Sequence, residues 1–160
     1  MSEKERQEKK VDIFVGIVLL DYQEKIYLIK EEDKNKIGKN RWNLPGGSVD
    51  EGEGLVKAVS RETKEETGYD CEIISLLGCY MGKKNEKSWL YVVFQGKLIK
   101  KTSKVTDKDI KAGKWFKKDE FLHLNSDEIV HPDMQLVYNT TCEEKGLPIE
   151  NVKPINYDLQ

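Results

Sequence analysis

Gly47 to Tyr69 read GSVDEGEGLVKAVSRETKEETGY, and this stretch decides the fold. Asp50, with Glu53 three residues later, is patterned like a capping box, and Gly68 is a natural stop after Thr67, so a helix is predicted between them. With Glu62 at zero on a helical wheel, Leu55 falls at about 20°, Glu66 at about 40°, Val59 at about 60°, Thr63 at about 100° and Val56 at about 120°. These residues form the inward stripe. Glu65 lies beside them at about 300°, while Lys57, Ser60, Arg61 and Lys64 fall on the other side. Carboxylates gathered at the margin of a core cost on the order of several kcal/mol unless a cation offsets them. The i, i+3 and i+4 spacing sets Glu62, Glu65 and Glu66 on one patch, and an all-oxygen donor set suits Mg²⁺ or Mn²⁺ rather than zinc. By spacing alone, the same glutamates also fit a solvated face.

Upstream, Arg41-Trp42-Asn43-Leu44-Pro45-Gly46-Gly47 ends in a Pro-Gly-Gly that stops regular structure and lets the backbone come close to a ligand. Before it, Val11 to Leu20 is apolar at every odd position, with Phe14, Val18 and Leu20 on the other face, as for a central strand covered on both sides. A turn at Asp21 to Glu24 and a strand from Lys25 to Lys30 complete a predicted hairpin. Downstream, strands are expected over Cys71 to Tyr80 and Ser88 to Leu98 around a polar loop at Gly82 to Lys87, with a short one at Lys114 to Phe116. A last amphipathic helix is expected from about Pro132 to Lys145. The organisation is then a polar lead at 1–10, one domain at 11–145 and a tail at 146–160.

A chain of 160 residues with 38% apolar and 35% charged residues fits one solvated domain with a real core. The longest apolar run, Phe14 to Leu20, is far short of a bilayer crossing, and the charged Ser2 to Lys10 leads into no signal-peptide core, so a cytoplasmic location without membrane contact is expected. A net charge of -2 offers no overall field for nucleic acid, leaving Lys97 to Lys104 and Lys108 to Lys118 as local basic stretches or protected strand edges. Cys71, Cys79 and Cys142 form neither a CxxC nor a Cys/His cluster and read as structural thiols.

Gly47, five residues, Glu53, seven residues, then Arg61-Glu62-Thr63-Lys64-Glu65-Glu66-Thr67-Gly68 resembles the signature of the Nudix (MutT-type) hydrolases. Gly47, Glu53, Arg61, Glu62, Glu65, Glu66 and Gly68 all match, a coincidence of roughly one in ten million or rarer at a given start. The approach Arg41 to Gly47 and the late Lys114-Trp115-Phe116 extend the resemblance to about residues 11–145. Thr63, where the family has an aliphatic residue, and Asp50, where it often has Glu, depart from the pattern.

The resemblance implies an α/β fold, an α/β/α sandwich with a mixed β-sheet between helices. It implies a hydrolase that cleaves a diphosphate linkage in a nucleoside diphosphate-X by metal-activated water. Glu62, Glu65 and Glu66 would ligate Mg²⁺ (or Mn²⁺) with the Gly46 carbonyl, and Arg61 would pair with Glu53 to brace the helix against the Gly47 loop. A loop carboxylate before the late tryptophan, Asp109 first and Asp107 second, would be a further ligand or general base. Trp42, Trp89 or Tyr80 would stack on a base or pack in the core. The partner is a small-molecule nucleotide, with no nucleic acid, and the protein is a monomer or homodimer. The reading leans toward a (d)NTP cleaved to NMP plus diphosphate. ADP-ribose, a nucleotide sugar or a dinucleoside polyphosphate is the alternative substrate. A non-catalytic nucleotide-sensing domain and isopentenyl diphosphate isomerase are alternatives of other classes, the latter poorly served by Cys71 and Cys79.

Overall fold

A computed structural model of the chain describes residues 10–32, 40–130, 135, 138 and 146–149. Its centre is β1 (Val11–Leu20). From Val15 onward, odd positions Val15, Ile17 and Leu19 enter one core and even positions Val18 and Leu20 the other, so this part of the strand is buried on both faces. The first core is closed by Ala58 and Val59 of α1 (Leu55–Thr67), the second by Phe121 of α2 (Lys118–Leu122) and by Tyr138. Helices therefore cover both faces of one sheet. The expected two-sided burial stops short of the strand's start. Val11, Ile13 and Phe14 are 39%, 37% and 37% exposed, because neither core reaches them.

Among the described residues the sheet has eight strands: with β2 (Ile26–Glu31), β3 (Trp42–Asn43), β4 (Gly46–Ser48), β5 (Tyr69–Lys84), β6 (Lys87–Lys101), β7 (Ile110–Phe116) and β8 (Leu147–Pro148), the order is β3-β2-β1-β6-β5-β8, β4 also pairing with β1 and β7 with β2. β2 (Ile26–Glu31) leaves β1 through a turn in which Asp21 Oδ1 accepts from the N–H groups of Gln23 and Lys25, both at 2.8 Å. The predicted hairpin forms, but its register is limited to Leu20 against Ile26. Beyond that pair β2 diverges and runs antiparallel to β7 (Ile110–Phe116), and the gap is filled by the segment from Trp42 to Ser48. There β3 (Trp42–Asn43) pairs with Ile29 and Lys30, the Pro45 carbonyl takes the Ile17 N–H at 2.9 Å, and β4 (Gly46–Ser48) pairs with Phe14 to Gly16. The central sheet is thus split, with the Pro-Gly-Gly segment wedged in the split.

On its other side β1 runs parallel to β6 (Lys87–Lys101), which pairs antiparallel with β5 (Tyr69–Lys84). The expected polar loop at Gly82 to Lys87 is almost entirely strand. Only Asn85 and Glu86 turn, at φ 48° and 64°, a two-residue turn of the handedness that matches the strands' twist. β8 (Leu147–Pro148) pairs with Ser75 and Leu76. The lead at 1–9, most of the expected Pro132 to Lys145 helix and Cys142 lie outside the described residues. Of that helix, Gln135 Nε2 donates to the carbonyls of Phe121 (2.6 Å) and Leu124 (3.0 Å), and Tyr138 packs edge-on against Phe121. Among the described residues no helix is long and apolar enough to cross a membrane.

Candidate active site

The helix α1 begins later than the sequence suggests. Its cap is Gly54, without a side-chain hydrogen bond, and Asp50 and Glu53 instead close a turn ahead of it. In that turn Asp50 N–H donates to Glu53 Oε2 and Glu53 N–H donates to the Asp50 carbonyl. The reciprocal bonds of a capping box are partly present, but Gly52 at φ 75° keeps the turn out of helical geometry, and Arg61 claims the Glu53 carboxylate. The helix ends as predicted on Gly68, at φ 73° with its N–H on the Lys64 carbonyl. Its buried face is Ala58, Val59, Glu62, Thr63, Glu66 and Thr67, so two box glutamates do lie on the inward stripe. Thr63 is fully enclosed, its hydroxyl donating back to the Val59 carbonyl at 2.6 Å, and beside it the half-buried Cys71 thiol is pushed up to about 11 by burial.

Arg61 ties the helix to the loop. Its Nε and Nη2 donate to both oxygens of Glu53 at 2.9 Å, and Nη2 also reaches the Ser48 carbonyl at 3.1 Å. Hydrogen bonds from Arg61 hold the Glu53 carboxyl down at about 2. Nη1 donates to Glu62 Oε1 at 2.8 Å and to Glu65 Oε2 at 3.3 Å.

Glu62 and Glu66 meet the wedged loop. Glu66, 3% exposed, accepts the Gly46 N–H at 2.7 Å. Burial pushes its carboxyl up to about 9 in spite of that bond, and the charges of Glu31, Glu62 and Asp107 add to the rise. Burial also raises Glu62, against the pull of Arg61. A Cβ on Gly47 would stand 2.5 Å from the Glu62 carboxyl carbon, and one on Gly46 would stand 2.1 Å from the Val15 carbonyl oxygen. Only glycines allow this contact between loop and helix.

Among the described residues, no three His, Cys, Asp or Glu side chains converge closely enough to hold a metal ion as they stand. Arg61 Nη1 sits between Glu62 and Glu65 instead. The chemistry of the donors nonetheless fits a hard cation: the set is all oxygen, and Glu66 is an enclosed carboxylate surrounded by other acids.

The loop between β6 and β7 is lashed to the last turn of α1. The N–H groups of Thr106 and Asp107 both donate to the Glu65 carbonyl, at 2.8 and 3.1 Å. Of the two loop acids, Asp107 adds its charge to the rise of both Glu62 and Glu66. Asp109 donates its N–H to Asp107 Oδ1 (2.8 Å), and its carbonyl accepts from Glu32 N–H (2.7 Å). Glu31 also reaches Glu66 electrostatically. It sits beyond an irregularity in the β2–β7 pairing that no sequence pattern announces.

Trp42 is half-buried, edge-on to Phe116 with ring centroids 4.9 Å apart, and the Lys30 ammonium lies 4.6 Å from its ring centre. Tyr80 and Trp89 are half-buried in the β5–β6 hairpin. A further ring, Tyr91, lies across β1 where Gly16 has no side chain. A Cβ there would stand 2.0 Å from the Tyr91 hydroxyl, and Glu66 adds to the burial that raises this phenol. The glycine interrupting the apolar β1 run was its sequence signal.

The profile of the NUDIX domain family matches residues 12–135. The chain is 33% identical over 130 residues to the human (Homo sapiens) 8-oxo-dGDP phosphatase NUDT18, covering 79% of this chain and 39% of that protein. It is 37% identical over 68 residues to a putative 8-oxo-dGTP diphosphatase of Bacillus subtilis (strain 168), covering 42% of each. The chain spans about a third to two-fifths of the length of the NUDT18 proteins it matches. In fold it resembles a NUDIX hydrolase from Nitrosomonas europaea, with a TM-score of 0.77 at 24% identity, over 94% of this chain and 100% of that one.

Proposed function

Because the chain belongs to the NUDIX domain family, we propose that it is a metal-dependent hydrolase cleaving the diphosphate linkage of a nucleoside diphosphate-X. The preferred reaction is a nucleoside triphosphate cleaved to monophosphate and diphosphate. The observation that carries this reading is Glu66, an enclosed carboxylate against Gly46 with Glu31, Glu62 and Asp107 in electrostatic reach, which is stable as an anion only beside a cation. Mg²⁺, or Mn²⁺ in its place, suits these donors, and Glu62, Glu65, Glu66 and the Gly46 carbonyl would hold it. Bound there, a divalent ion supplies charge compensation at phosphorus and acidifies a water.

The protein's own residues do the positioning. Arg61 locks α1 to Glu53 and to the Ser48 carbonyl, fixing the distance between helix and loop. Asp107, fixed through its N–H to the Glu65 carbonyl, is the better placed loop acid to take the proton of the attacking water, and Asp109 braces it through a backbone bond. The water oxygen then bonds to phosphorus as the bridging P–O bond breaks, and the leaving group departs as diphosphate.

Similarity to proteins named for 8-oxo-dGDP and 8-oxo-dGTP supports oxidised guanine nucleotides as first substrates to try. The test is a screen of purified protein with magnesium against nucleoside di- and triphosphates, their 8-oxo forms, ADP-ribose, nucleotide sugars, dinucleoside polyphosphates and coenzyme A. Cleavage of a diphosphate linkage is expected, and Glu65→Gln or Glu66→Gln should lower turnover by roughly 100-fold or more in a folded protein. Full activity of either variant at controlled magnesium would sink the assignment. Cleavage of no compound would favour a nucleotide sensor.

A further inference from the structure

Lys30 and Lys114 lie on one face of the sheet. Leu28 pairs with Lys114 and Lys30 with Ala112, so the two lysines are diagonal neighbours across the antiparallel β2–β7 pair. Each ammonium rests on an aromatic ring, Lys30 over Trp42 and Lys114 over Phe116, both 4.6 Å from the ring centre. The rings touch edge to face, which makes a continuous floor between the two charges. Among the described residues neither lysine is in an ion pair. Like charges on diagonal neighbours, each resting on an apolar ring, repel each other, and a bound anion relieves both at once. The pair shares the sheet face on which Trp42 and Tyr91 pack, and this face meets the loop of the reaction centre: Tyr91 lies against Gly16, and Gly16 lies against Gly46.

We propose that Lys30 and Lys114 form an anion clasp for the phosphate end of the substrate, beyond the bond that is cleaved. The clasp rests on the hydrolase reading above and narrows it. It selects nucleotides whose X is itself phosphate, tri- and diphosphates, over nucleotide sugars whose X is uncharged.

Calorimetric titration of the full chain with inorganic tripolyphosphate, in the presence of magnesium, reads the clasp without any turnover. Lys30→Gln and Lys114→Gln should each weaken binding about tenfold, the loss expected for one charge-assisted contact. Lys30→Arg should retain binding, which guards against a fold effect from uncovering Trp42. Lys83→Gln, at the distant hairpin tip where Lys83 pairs with Glu86, should bind as the unaltered protein does. In turnover, both glutamine variants should raise KM for a triphosphate while leaving KM for a nucleotide sugar unchanged. Unaltered tripolyphosphate binding in Lys30→Gln and Lys114→Gln, or equal weakening by Lys83→Gln, overturns the clasp even if the protein hydrolyses nucleotides. Lysine-dependent binding in a protein that hydrolyses nothing upholds the clasp and removes the hydrolase reading.

Discussion

Glu66 and Glu53 sit on the same segment and respond to pH in opposite directions. The Glu66 carboxyl, pushed up to about 9 from an ordinary 4.5, binds its proton more tightly in the folded than in the unfolded state. Its stabilising contribution is complete below about pH 4.5 and is lost as pH climbs toward 9. Glu53, held at about 2, contributes stability above about pH 4.5 that is lost as pH falls toward 2. Thermal melts in chelator should therefore show Tm falling between pH 5 and 9, and Glu66→Gln should flatten that fall. An unchanged slope in the variant would remove Glu66 as its cause. Gly47→Ala places a methyl group on the Glu62 carboxyl carbon. It should cost about 1–3 kcal/mol in urea unfolding and lower turnover, because Glu62 must move to make room. The pairing of Arg61 with Glu53 was legible in the sequence through the family pattern. The additional engagement of Arg61 with Glu62 and Glu65 was not, since it depends on rotamers that spacing does not specify.

For α1 the inward stripe and the stop at Gly68 were readable from periodicity and from glycine's tolerance of a left-handed backbone, while the start was not. Asp50 and Glu53 satisfy a local capping pattern, yet the long-range claim of Arg61 on Glu53 takes precedence and the helix begins at Leu55. The β5–β6 hairpin was misread for a different reason. Its polar stretch is long enough for a loop, but alternation through Lys83, Lys87 and Trp89 continues the strands, and only Asn85 and Glu86 turn. Glutamate at φ 64° is strained there, so Glu86→Gly should raise stability by about 1 kcal/mol, with activity unchanged. The exposed Lys83–Glu86 ion pair lost in that variant offsets little of the gain. A denaturation midpoint equal to or below that of the unaltered protein would show that the turn is not strained.

Across the whole molecule, the split between β1 and β2 brings the Pro-Gly-Gly segment against α1, and ordered pairing of Gly46 to Ser48 with Phe14 to Gly16 keeps it there. A divalent ion bound at this junction would stabilise the folded state by mass action. Millimolar magnesium should raise Tm, the rise should vanish with chelator, and Glu66→Gln should abolish most of it. A Tm indifferent to magnesium would separate the site from the metal. The sandwich itself was legible because β1 is apolar on both faces over Val15 to Leu20, but the split was not, because a strand's divergence from its neighbour leaves no mark on either strand's composition. The parallel pairing of β1 with β6 also bears on how the chain reaches this state. Val11 lies beside Ser88, so on the ribosome the apolar β1 emerges well before the strand that will shelter it. During synthesis that sticky segment stays unshielded until β6 has been made, open to association with other chains meanwhile.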